Sequence, residues 1–178
     1  MTKPHDLNEL RICTYEAISS KLDRCLLPHD KISVALAVAI DEHLDDETGA
    51  SIDCFIRELA RCVAQQTGAI IRTARDANID VDAAEARMED EDVEDLYIVL
   101  NETTLPEGIL DYEDGDERRN PPTEAYAIAL AFAVAMCLKH DTARVERFIQ
   151  DLHAERSRAK IYQAKYSPAW RRRPLGNA

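Results

Sequence analysis

The chain has 178 residues, 34 of them acidic and 22 basic, and its net charge of -12 sets most of its surface against the phosphates of duplex nucleic acid. Hydrophobic residues make up 46%, enough for one domain with its own core, whereas aromatics are only 6% and β-branched runs are few, a balance that favours helices over a sandwich or barrel. Five cysteines with no CxxC pair, and an N-terminus lacking an apolar h-region, point away from a disulfide-stapled secreted protein and towards a reduced, cytoplasmic one.

The first expected element is a helix from Leu7 to about Leu22, capped by Asp6, with Leu7, Leu10, Cys13, Ile18 and Leu22 along one side. Pro28, His29 and Asp30 open a second helix, whose run from Ile32 to Ile40 alternates large apolar residues with alanine. In a long third helix Ile52, Phe55, Ile56, Leu59, Val63, Ile70 and Ile71 keep the i, i+3, i+4 spacing, with Gly68 marking a bend or a close contact. Asp80 is placed to cap a short helix ending at Met88. Asp92 is placed to cap another, from Val93 to about Asn101, with Leu96, Tyr97 and Leu100 as a narrow apolar stripe. Asp111 to Pro122 has the composition of an exposed loop.

Next comes AYAIALAFAVAMCL, Ala125 to Leu138, without one charge or amide. Alanine, leucine and methionine favour a helix, and at about 100° per residue the large side chains point all round its axis. Such a helix must be covered on every side, so it is the expected centre of the fold. It falls short of the roughly 20 residues that cross a bilayer, and no membrane contact is expected. Ala154 to Tyr166 reads as a basic helical continuation, and 167–178 as a flexible basic tail carrying Trp170 beside Arg171, Arg172 and Arg173.

Two parts of the chain match each other. Pro28 falls on Pro122, VALAVAI on IALAFAV and Leu44 on Leu138; after one deletion Phe55, Ile56 and Leu59 fall on Phe148, Ile149 and Leu152. Each copy reads as a proline, an acidic first turn, a buried alanine-rich helix, a short turn and an amphipathic helix laid across it. The expected fold is therefore all-α, a compact multi-helix bundle forming one domain over 1–166. Two pseudo-repeated helical hairpins (28–59 and 122–152) would place their alanine-rich helices side by side or across a common axis.

Charge is spread unevenly. Residues 76–117 hold 17 acidic side chains and one basic, Arg87, while 139–178 hold 10 basic and 4 acidic. The acidic middle is either a solvated surface that keeps the protein in solution or a docking surface for a basic protein. In the docking reading its partner-binding carboxylates are Glu89, Asp90, Glu91, Asp92, Glu94, Asp95, Asp111, Glu113, Asp114 and Asp116.

Histidine precedes aspartate at His5-Asp6, His29-Asp30 and His140-Asp141, a pair that resembles the metal-binding dyad of HD-type phosphohydrolases. Each pair stands where a helix is expected to begin, and an N-cap aspartate accounts for it. Arg24/His29 and Arg147/His153 have the spacing of helical HEPN ribonucleases, one that this many arginines produces by chance. Glu91-x-x-Glu94 followed by Glu113-x-x-Asp116 resembles the Mg²⁺-holding carboxylates of all-α NTP pyrophosphohydrolases, a likeness confined to those four positions. The cysteines read as small core residues, reduced and slow to react.

The expected function is non-enzymatic: an acidic inhibitor, immunity or regulatory protein that docks on a basic partner, such as a nucleic-acid-binding protein. The alternative is a metal-dependent all-α nucleotide hydrolase using Glu91, Glu94, Glu113 and Asp116. No cofactor and no direct duplex binding are expected; a homodimer is compatible with the composition.

Overall fold

The computed structural model of the protein describes residues 7–44, 49–74, 80–103 and 123–166. The expected Asp6 cap, the loop carrying Asp111, Glu113, Asp114 and Asp116, and the tail from 167 lie outside them. The fold is all-α: α1 Leu7–Leu22, α2 His29–Leu44, α3 Ala50–Thr67, α4 Val81–Met88, α5 Glu91–Thr103, α6 Thr123–Cys137 and α7 Thr142–Tyr166, with no strand among the described residues.

The helix ends follow their capping chemistry. Asp80 accepts the Ala83 N–H at 3.0 Å to start α4, and Asp141 accepts the Arg144 N–H at 2.9 Å to start α7, so the third histidine-aspartate pair is a cap. α5 starts at Glu91 rather than Val93, because Asp90 and not Asp92 is the acceptor, taking the Asp92 N–H at 3.1 Å. α2 starts at His29 itself. Asp30 therefore lies in its first turn and acts on the helix dipole instead of capping.

The clearest departure from the expected elements is the end of α3. Gly68, at φ 72°, donates its N–H to the Ala64 carbonyl and closes the helix at Thr67. Ile70 and Ile71 thus do not continue the helical stripe: Ile71 turns into the core and Ile70 stands 93% exposed. A periodicity of 3.6 cannot separate a helix from a short extended segment that follows a left-handed glycine.

Both alanine-rich helices are buried, α2 along Ile32 to Ile40 and α6 along Ala127 to Val134 and on to Leu138, yet neither is the other's main neighbour. α2 packs on α7 and α5, and α6 packs on α1 and α3. The second helix of each expected hairpin thus covers the first helix of the other. Phe55 and Phe148, which hold matching places in the two sequence segments, meet edge to face at the centre with ring centroids 6.0 Å apart and planes at 66°. Around them Leu36, Ile40, Ile52, Leu59, Leu130 and Ile149 are fully buried.

α6 is not covered all round. Its Ile128, Phe132 and Met136 stripe is half-buried, and the Arg11 guanidinium of α1 lies 5.8 Å from the centre of the Phe132 ring. All five cysteines are free. Cys13 is exposed on the outer side of α1, contrary to its expected place in the core, and the other four are half-buried. Among the described residues no helix is long and apolar enough to cross a membrane.

Candidate functional site

Six of the expected docking carboxylates gather at the corner between α4 and α5. Glu89 and Asp90 form the link, and Glu91, Asp92, Glu94 and Asp95 the first turns of α5. Val93, Leu96 and Leu100 anchor α5 in the core at i, i+3, i+7 spacing, which turns Glu91, Glu94, Asp95 and Ile98 outward. These four are exposed, as are Glu89, Asp92 and Val99. The outward face of α5 thus begins negative and ends apolar, with Ile98 and Val99 exposed by 40% and 41%. Carboxylates in the first turn meet the positive end of the helix dipole, which offsets part of their mutual repulsion.

Lys31, in the first turn of α2, reaches this corner with its ammonium 3.0 Å from Asp90 Oδ1 and 2.5 Å from Asp92 Oδ2. The bonds to Asp92 and then Asp90 raise the Lys31 pKa, and Lys31 holds the Asp90 carboxyl below its ordinary value. The groups stay in water, so the contact sets how α5 lies on α2 more than it stabilises the fold. A second tie joins the same helices: the Tyr97 hydroxyl donates to the Glu42 carboxylate, and burial followed by that acceptor pushes the phenol up to about 12. Asp90 and Asp92 are therefore engaged with Lys31, and both stay open to solvent. Glu89, Glu91, Glu94 and Asp95 make no ion pair among the described residues.

Behind the acidic face a polar clamp holds α4 to the body. Asp151 of α7, 1% exposed, accepts the Ser33 hydroxyl of α2 at 2.8 Å and the Arg87 guanidinium of α4 at 3.1 Å, with Arg147 Nε at 3.5 Å. Burial pushes the Asp151 carboxyl upward, and Ser33, Arg87 and Arg147 oppose it. One turn further along α7, Glu155 takes a two-point bond from Arg158 at 2.9 and 2.8 Å. That bond raises the Arg158 pKa, with Glu85 and Asp41 adding to the effect. Both Asp151 oxygens are engaged, so this carboxylate is a fastener rather than a general base. Arg87, the lone cation of the acidic middle, thus points inward and leaves the outer face negative.

Of the four carboxylates of the hydrolase alternative, Glu91 and Glu94 share the open face of α5 and Glu113 and Asp116 lie outside the described residues; among the described residues no three His, Cys, Asp or Glu side chains converge where a metal ion would fit. Arg147 turns to Asp151 and His153 Nε2 to the Thr73 carbonyl at 3.1 Å, so both are used in holding the fold. A 430 Å³ cleft between the starts of α2 and α7 is lined by cations and acids together, among them Lys139, Arg144, Asp23 and Asp30. Burial, helped by Asp23, pushes the Cys137 thiol in its wall up to about 12, far from a nucleophile at neutral pH.

No family model, curated protein or solved structure matches this chain. The acidic corner was legible as a run of charge, but Lys31 was not, being an ordinary cation 59 residues before Asp90. Ile98 and Val99 carried a readable signal. They stand out of phase with Leu96 and Leu100, and an apolar residue off the buried stripe of an amphipathic helix faces water.

Proposed function

We propose that the protein is a non-enzymatic, cytoplasmic binding protein whose outward α5 face docks on a basic surface of a partner protein and regulates or inhibits it. The observation that carries the reading is the composition of that one face: Glu91, Glu94 and Asp95 beside Ile98 and Val99, all exposed on a helix fixed to the core. Charged residues that steer a partner in, set around apolar groups that hold it, are the ordinary division of labour at a docking surface. A face kept only for solubility has no use for the two β-branched residues. Five free cysteines agree with a reducing compartment.

The test replaces the four unpaired carboxylates, Glu89→Gln, Glu91→Gln, Glu94→Gln and Asp95→Asn, and leaves Asp90 and Asp92 to hold Lys31. Helix content and melting temperature should stay as in the parent. Capture of a partner from lysate of the source cells should weaken at least about tenfold, or 1.4 kcal/mol, with most of the loss in the association rate. Undiminished capture by the four-site variant would leave these carboxylates as a solvated surface. A saturable rise in melting temperature with Mg²⁺ or Mn²⁺, lost on Glu91→Gln and Glu94→Gln, would favour the metal-dependent hydrolase instead.

A further inference from the structure

α3 carries a groove of 540 Å³ on its outer side, away from the acidic corner. Its floor is the i, i+4, i+8 row Ile56, Ala60 and Ala64, where the two alanines are too small to fill the space beside the helix. The neighbouring row brings Arg57 and Arg61 to the rim, and the one acid in the lining, Asp53, is paired with Arg156 at 3.9 Å. The far wall is the chain that turns back after Gly68. It is tied to α7 at two points, by the Arg72 N–H to Glu146 at 3.0 Å and by His153 to the Thr73 carbonyl at 3.1 Å. Ile70 stands at the lip, almost wholly in water. A trough with an apolar floor and arginines on its rim suits one amphipathic helix with carboxylates along its edge.

We propose that the occupant of this groove is the outward face of α5 from a second copy of the chain. The match is chemical and two-sided. Ile98 and Val99 supply the apolar ridge that the alanine floor lacks, and Glu91, Glu94 and Asp95 on the same face supply charge opposite to Arg57 and Arg61. Arg57 makes no ion pair among the described residues, whereas Arg61 is shared with Glu58. Docking covers Ile70 and Ile98 together, two apolar side chains that each copy alone leaves in water. Because the two surfaces differ, the contact is heterologous, one copy's face on another copy's groove. A single helix in a groove buries less than the roughly 1,600 Å² of a standard interface, so self-association belongs in the micromolar range or weaker.

This inference rests on the same α5 face as the proposed function, but its test separates the two. Sedimentation velocity of the full chain over a concentration series should show reversible association. The face variant Asp95→Lys/Ile98→Lys and the groove variant Arg57→Glu/Ile70→Glu change only exposed residues, and circular dichroism should show both folded. Each should sediment as a monomer by itself. Mixed one to one they should form a dimer and nothing larger, because the intact groove of the first accepts the intact face of the second. A parent chain that stays monomeric at every concentration, a variant that associates like the parent, or a mixture that stays monomeric would each overturn the proposal. None of those results touches docking on a foreign partner, which the groove variant should still capture and the face variant should not.

Discussion

α2 and α6 share an alternating alanine pattern and are both buried, but they are buried by different chemistry. The buried residues of α6, from Ala127 to Ala135, are all apolar, and α1 and α3 meet them in the centre of the core. α2 buries Ser33 within its apolar run and Asp41 just after it, and α7 meets it with Asp151 and Glu155. The first seam is mostly apolar, with Thr14 of α1 bonded back to its own helix at Leu10 and the Tyr126 hydroxyl of α6 buried, and the second is joined by polar and charged pairs. An alanine-rich run says that neighbouring helices come close; what those neighbours carry decides whether the seam is held by dispersion or by hydrogen bonds and ion pairs.

The largest expected effect lies at the centre. Phe148→Ala should destabilise the protein by about 3–5 kcal/mol, since the ring is fully buried and loses both its volume and its contact with Phe55. Phe132→Ala, in the helix that the sequence marks as central, should cost only about 1–2 kcal/mol, because that ring is half-buried under Arg11. Urea unfolding of the two variants measures the difference. Equal losses would mean that the apolar seam extends to the outer stripe of α6.

Next comes the clamp. Arg87→Met removes one of the cations that compensate the buried Asp151 carboxylate, and should destabilise by about 2 kcal/mol at pH 7, less than a fully buried pair because Arg87 remains partly in water. The pH dependence has a definite sign. Burial raises the folded-state pKa of Asp151, so its contribution to stability is greatest below the ordinary carboxylate range and declines as pH rises through the raised value. Losing Arg87 raises that pKa further. The penalty should therefore be full at neutral pH and shrink as the pH falls and Asp151 takes up its proton. A penalty independent of pH between neutral and mildly acid conditions would show that Arg87 acts by packing alone.

A reciprocal exchange tests the comparison at one residue. Ser33 and Ala127 hold matching places in the two runs. Ser33→Ala should cost about 1 kcal/mol by taking a hydrogen bond from buried Asp151, and Ala127→Ser a similar amount by placing a hydroxyl in an apolar seam. If the seams were equivalent, one of the two exchanges would be neutral or stabilising.

How much of this was legible in the sequence follows from the range of each interaction. The approximate helix positions and the Asp80 and Asp141 caps rest on neighbours within four residues, and there the sequence and the structure agree. Burial of both alanine-rich runs also follows from composition alone. The end of α3 was missed because two isoleucines after Gly68 fit the helical period by accident. The Ser33 to Asp151 bond joins residues 118 apart, and the Arg87 to Asp151 bond residues 64 apart, so no local pattern reports them. The same holds for the packing of α3 on α6 and of α7 on α2, since the matching segments display their apolar faces without naming which helix covers which. At the candidate site the carboxylates were visible as a cluster, while their division into paired Asp90 and Asp92 and unpaired Glu89, Glu91, Glu94 and Asp95 depended on where Lys31 lands.

The smallest effect leaves stability unchanged and compares two thiols on helices that pack together. Cys13 of α1 is exposed, whereas Cys137 at the end of α6 is half-buried with its pKa pushed up to about 12 by burial and Asp23. Burial keeps the Cys137 sulfur almost wholly as the unreactive thiol at pH 8 and also shields it from reagent, whereas the Cys13 side chain is open to reagent. Thiol titration of the native protein should therefore show one fast phase that disappears on Cys13→Ser, with Cys137 modified only after denaturant is added. Cys62, also raised by burial, should follow Cys13 slowly. Labelling of Cys137 in the fast phase, located by mass spectrometry, would mean that the end of α6 opens readily to water, and the apolar seam would then stop short of Leu138.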